Sequence, residues 1–288
     1  MREMPDLVSV TLRALSFVLL FQAAGTAIFV AIFGRRLASS QVSVRRLGRV
    51  AAVAAIVLVA AHYALEAARM AGEMSGLWDP ILQGMAWSSP AGTASICRLL
   101  GLLLIAMGLQ ARSGRRTVLA AGGAVLAIGA FALTGHTSVN THRAALAALL
   151  VLHLLVVAFW FGALWPLYLA SLRETSVRAS DIVARFTAAA TWLVPVILLA
   201  GIVMAVLLLP NLRALSEPYG ELLVAKVVGF TVLMGFAAAN KWRLGPALVH
   251  GSAQSGRWFR RSVAAEYVLI AAVLTITAVM TSFFSPEA

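Results

Sequence analysis

The sequence predicts an all-α integral membrane protein, a bundle of eight transmembrane helices with both termini on the periplasmic side. Three observations predict it. Hydrophobic residues fill 61% of the 288 positions and charged ones 12%, at a mean hydropathy of +0.91, far from the balance of a soluble domain. Apolar runs long enough to cross a hydrocarbon core of about 30 Å recur along the whole chain. The excess of basic residues, +12 overall, falls on alternate loops. Strands are not expected, because each run is about twice the ~10 residues of a barrel strand and lacks its polar-apolar alternation.

The first run, roughly 8–33, follows MREMPDLVSV; at about 26 residues it is too long for a signal-peptide core and is expected to stay as a signal anchor. Arg35, Arg36, Arg45, Arg46 and Arg49 separate it from the second, roughly 47–71. The third, roughly 95–111, opens on Cys97 and Arg98, and Arg112, Arg115 and Arg116 lead into the fourth, roughly 117–135. The fifth, roughly 144–170, is followed by Arg173, Arg178 and Arg185 and then the sixth, roughly 184–209. Lys241, Arg243, Arg257, Arg260 and Arg261 lie between the seventh, roughly 220–243, and the eighth, roughly 259–283. All these basic loops share one side, which the positive-inside rule makes cytoplasmic. The loops at about 72–94, 134–143 and 210–219 are then outside, where acidic residues outnumber basic ones and cations are favoured.

The expected organisation is one domain over 1–288, multi-pass in a membrane and solvated by lipid. The positive charge marks topology rather than nucleic-acid binding, since no long polar segment is there to carry it. A lone Cys97 allows no internal disulfide. Helix packing is expected to rest on small residues, among them Gly101, Gly108, Gly122, Gly123, Gly129 and Gly162. No nucleotide-binding loop, zinc-hydrolase helix or nucleophile elbow is present. An ATP-driven pump chain is excluded by the missing cytoplasmic domains.

Three of the five histidines, His136, His142 and His153, cluster at the outer end of the fourth and fifth runs. A short polar loop joins His136 to His142, so both can reach one ion, and imidazole suits copper, zinc or iron; interfacial histidines bonded to loop carbonyls are the plainer alternative. His153 lies eleven residues beyond His142, within about 20° of the same helix face and about 16 Å deeper. Trp160 continues that stripe. Polar residues inside a membrane default to a functional hypothesis. His62, in the second run, sits at a depth similar to His153, and two such imidazoles suit the axial positions of a b-type haem; two unrelated packed histidines are the alternative. From His62 a stripe at steps of four continues outward through Glu66, Met70 and Met74. That order of imidazole, carboxylate and thioether suits a soft ion, although methionine is also a common core filler. Arg69 or Lys226 is expected to neutralise Glu66, with a buried ion pair as the account of Lys226. Asn240, Lys241, Arg243 and Glu266 form a second polar group in the cytoplasmic half, explained by helix anchoring.

TGH at 134–136, HLLVVAFWFGALWPL at 153–167, EPYGELLVAKVVGFTVLMGFAAANKWRLGPAL at 217–248 and SSPAGTASICRL at 88–99 carry a resemblance. The chain resembles the copper resistance protein D family (CopD and PcoD type) of bacterial inner-membrane proteins. The resemblance implies eight membrane helices, a role in copper homeostasis and cooperation with a small periplasmic copper-binding protein of the CopC type. It carries over to His136 at the GH position, His153 and Trp160 in the fifth helix, and Tyr219, Lys226 and Asn240 in the seventh. Many copper-handling proteins have Met-rich or His-rich runs, which these outer loops lack.

Two functions from different classes follow. One is movement of copper inward from His136 and His142 past His153, with Met70, Met74 and Glu66 as auxiliary contacts. The other is a haem-dependent oxidoreductase acting on copper at the periplasmic surface, with His62 and His153 holding haem b. A receptor that binds a copper protein without moving the ion is a third.

Overall fold

A computed structural model describes residues 4–134, 143–208 and 211–284 of the chain. The described residues form helices joined by short turns, with no strand among them: α1 (Met4–Phe33), α2 (Gln41–Ala71), α3 (Pro80–Ser88), α4 (Pro90–Gly108), α5 (Gly114–Gly129), α6 (Arg143–Arg173), α7 (Ser176–Leu208), α8 (Pro218–Ala239), the single turn α9 (Gly245–Ala247) and α10 (Ala253–Phe283). Eight stretches are long and apolar enough to cross a membrane; the seventh runs from α8 through a π turn at Asn240–Leu244 into α9. Several helices outrun their apolar segments. Helix α2 begins at Gln41 because Arg45 is inside the fold, its guanidinium donating to Ala111 O at 2.9 Å and to Thr117 Oγ1 at 3.2 Å. An α3 that hydropathy did not signal is built by Asp79, whose carboxylate accepts from Ile81 N and Leu82 N at 2.8 and 3.2 Å, with Pro80 at the first position.

Helix α1 is the centre of the packing, with 67% of its most apolar window buried against 6% for the span containing α8. It is lined by α2, α5, α6 and α10, while α4 lies on α5, α7 on α6 and α8 on α10. The α1–α6 crossing is almost backbone on backbone: a Cβ on Gly25 would stand 1.7 Å from Ala158 O, and one on Gly162 would stand 2.4 Å from the Gly25 Cα. Buried Gln22 and Thr26 sit at the same crossing; the amide donates to Thr26 Oγ1 at 2.8 Å and to Gly162 O at 3.3 Å. Gly101, Gly108 and Gly123 make the matching contact between α4 and α5. Gly122 and Gly129 face open space, so they do not serve the close approach expected of them. A helix position's neighbour depends on its azimuth, which composition does not carry.

At the opposite end from α3, Glu174 ties the turn between α6 and α7 to the loop between α1 and α2. Its Oε1 accepts from Ala38 N (2.9 Å), Ser40 N (2.9 Å) and Ser40 Oγ (2.6 Å). Burial raises the Glu174 carboxyl, but the bonds from the Ser40 hydroxyl and the backbone N–H groups of Ser40, Ala38 and Ser39 outweigh it and hold the group below its ordinary value.

Candidate functional site

His136 and His142 lie outside the described residues, in the stretch that joins Thr134 to the start of α6 at Arg143. His153 is three turns inside α6 and half-buried. Its Nδ1 is 3.2 Å from the carbonyl oxygen of Ile197 on α7, two residues after the helix-internal Pro195. A carbonyl only accepts, so Nδ1 carries the proton and Nε2 keeps its lone pair, the tautomer a metal needs. Gly201 borders the ring: a Cβ there would stand 3.8 Å from it, in ordinary van der Waals contact. The charge acting on this imidazole is Lys226 of α8. Among the described residues Lys226 has no carboxylate partner, which corrects the expected ion pair; Glu66 instead meets Arg69 at 3.0 Å, and Arg69 also reaches Asp6 at 3.4 Å.

His62 occupies a different setting. Its Nε2 is buried without a hydrogen-bond partner, as are the Tyr63 hydroxyl and Arg98 Nε. Arg13 of α1, Arg98 of α4 and Arg69 of its own helix are the charges around it. Arg98 lies over the Phe131 ring at 4.3 Å, and Arg13 donates to Ser282 Oγ of α10 at 3.0 Å. His62 and His153 thus look toward different helices. Arg13 was the residue that pattern reading passed over, since a single arginine in an otherwise apolar first helix reads as an end marker.

The methionines are accessible, Met70 at 46% and Met74 at 45%. They do not form one continuous stripe with His62 and Glu66. Helix α2 stops at Ala71, where Gly72 turns left-handed at φ 77°, and Met74 begins a separate 3-10 turn, Met74–Trp78. Met70 therefore continues the helix face and Met74 stands beyond it. Cys97 is a free, half-buried thiol beside Arg98. Among the described residues no three His, Cys, Asp or Glu side chains converge as a metal cage.

In the other half of the membrane the polar group is tighter than expected. Trp160 Nε1 of α6 donates to Glu266 Oε2 of α10 at 3.3 Å, and the Asn240 amide donates to Glu266 Oε1. Glu266 is 2% exposed. Lys241 and Arg243 are not part of it: Lys241 donates to Thr191 Oγ1 of α7 at 3.2 Å, and Arg243 is exposed. The signal for the Trp160–Glu266 bond was available, because an indole N–H inside a membrane needs an acceptor.

Comparison with known proteins completes the picture. Residues 4–143 match the family model of the copper resistance protein D-like N-terminal domain, and residues 180–280 match that of copper resistance protein D. Copper resistance protein D of Pseudomonas syringae pv. tomato is 30% identical over 231 residues, covering 72% of this chain and 74% of that protein. The chain belongs to the copper resistance protein D family. Its place is therefore in copper homeostasis, as a multi-pass membrane protein. The two matched ranges leave out 144–179, the stretch that contains His153 and Trp160. No solved structure matches the chain.

Proposed function

We propose that this copper resistance D protein moves copper across the bacterial inner membrane, inward from a periplasmic site at His136 and His142 and past His153. The observation that carries the reading is the His153 tautomer, which leaves a ligating nitrogen at membrane depth. Glu66, Met70 and Met74 are auxiliary contacts in this scheme, the two accessible thioethers suiting Cu(I). The basic loops and Glu174 lie on the cytoplasmic side and both termini outside, supported by the charge asymmetry of the loops. A periplasmic copper-binding protein of the CopC type delivers the ion. The chain works as one domain, a reading supported by the contacts of α1 with both early and late helices. Cells expressing the protein are expected to accumulate copper, measured by elemental analysis, and His153→Ala and His136→Ala are each expected to abolish the gain. Accumulation that is unchanged in both variants, at equal membrane abundance, rejects the path.

A haem reading, with His62 and His153 as axial ligands, ranks second. The unpartnered His62 Nε2 favours it, but the two rings face different helices. A reduced-minus-oxidised spectrum of the purified protein decides: Soret and α bands that vanish in His62→Ala establish haem, and a colourless protein removes it.

A further inference from the structure

A carboxyl group that is 2% exposed, inside a membrane and with no cation beside it, is costly to keep charged. Glu266 is such a group. Five elements pack on α10: α6 offers the neutral Trp160 indole, the π turn after α8 offers the neutral Asn240 amide, α1 offers Gln22 and Thr26, both bonded at the Gly162 crossing, and Arg13, bonded to Ser282, while α8 carries Tyr219, Glu221 and Lys226, none of them bonded to Glu266, and the turn Leu248–His250 completes the set. The nearby cations are engaged elsewhere, Lys241 on Thr191 and Arg261 over the Trp258 ring. Among the described residues no ion pair reaches Glu266.

The surroundings serve both protonation states. As a carboxylate, Glu266 accepts from Trp160 and Asn240. As an acid it has acceptors at hand, because Asn240 Oδ1 and Ser262 Oγ are buried and unpartnered, and Ser262 stands one turn earlier on the same helix face. The donor set is hard oxygen with two N–H groups aimed inward, which suits a proton and not a soft copper ion. Asn240 opens the π turn, a kind of local helix defect that recurs at functional sites, so a change at Glu266 is delivered to the backbone that ends α8. Trp160 lies seven residues, about 10 Å of helix, from His153 on one stripe of α6.

We propose that Glu266 is a proton-binding site, held between Trp160 and Asn240, that couples copper movement to the proton gradient by carrying one proton inward with each copper ion. The coupling rests on the copper-transport reading; the proton site itself does not. The test uses the full chain in proteoliposomes, with Cu(I) under a reductant outside and a pH dye inside. For one proton per ion, each pH unit of interior-alkaline gradient is expected to raise copper accumulation about tenfold, and copper addition is expected to acidify the lumen. Glu266→Gln keeps the size of the side chain and stands in for the protonated acid, with an N–H donor where one carboxylate oxygen accepts, but is always neutral; it is expected to lose both responses, while Glu266→Asp retains them at lower rate. Copper flux with no luminal acidification, flux that follows sodium instead of pH, or a Glu266→Gln protein that still couples overturns the proposal. If the wild type moves no copper, the transport reading fails and infrared titration judges the site alone. A protonated-carboxyl C=O band that titrates in the wild type and is missing in Glu266→Gln sustains it; absence of that band overturns it.

Discussion

A histidine tied to a carbonyl through Nδ1 has one nitrogen left to offer, and His153 offers it on a helix that carries Trp160 two turns further on. Glu174 is the other single residue whose chemistry has a measurable consequence. Its folded value lies below that of an unfolded carboxyl, so between the two the native state binds fewer protons and stability rises with pH. The contribution is complete above the unfolded value and is lost as pH falls through the folded one. Glu174→Gln is therefore expected to lower thermal stability at neutral pH by about 1–3 kcal/mol. Melting curves in detergent are expected to show that gap closing in acid; a gap of constant size would reject the linkage. For the two histidines the distance from the helix ends was readable and the direction was not. His62 and His153 were placed at one level from their distances to the helix ends. Their separation onto different helix neighbours depends on how each helix is rotated, and the stretches that lead into the two histidines, 50–61 and 144–152, are wholly apolar, so no stripe there betrays the rotation.

Helices were legible as spans and less so as helices. Hydropathy registers where lipid begins, and the hydrogen-bonded backbone continues past that point wherever a polar side chain finds a partner, as Arg45 does. Turn chemistry decides the remainder: Gly72 ends α2 before Met74, and Asp79–Pro80 starts α3 in what reads as loop. The glycines make the sharpest prediction at this scale. A methyl at Gly25 or Gly123 collides with backbone that has no side chain to yield, whereas one at Gly122 meets open space. Gly25→Ala and Gly123→Ala are expected to destabilise the protein by at least the about 1–3 kcal/mol of ordinary overpacking, and Gly122→Ala to be neutral or slightly stabilising through better helix propensity. Detergent-resistance assays on the three variants separate these outcomes. Equal loss in all three would mean that composition, not contact, sets the effect.

At the scale of the molecule, orientation rests on the alternation of basic loops, and it has a direct check. A cysteine replacing Arg46 or Arg257, in a Cys97→Ser background, is expected to be shielded from an impermeant thiol reagent in intact cells and labelled once the membrane is opened. One placed at Ser75, in the outer turn before α3, is expected to react from outside. The reverse pattern would invert the bundle. The family and the span count followed from composition and a few motifs, while the packing order, with α1 at the centre, had no linear signature.

The central place of α1 also bears on how the protein is made. Helix α1 leaves the ribosome before every helix that packs on it here, including α10, whose Ser282 accepts from Arg13. Until α6 arrives, Gln22 and Thr26 have each other across one helical turn, a local bond that lowers the cost of holding these polar groups in lipid. Arg13 has the Phe17 ring of its own helix at 5.5 Å, but its bond to Ser282 must wait for α10. Insertion is thus a relay in which the earliest helix is the last to have all its contacts, and a chain stalled before α10 leaves Arg13 without its Ser282 partner.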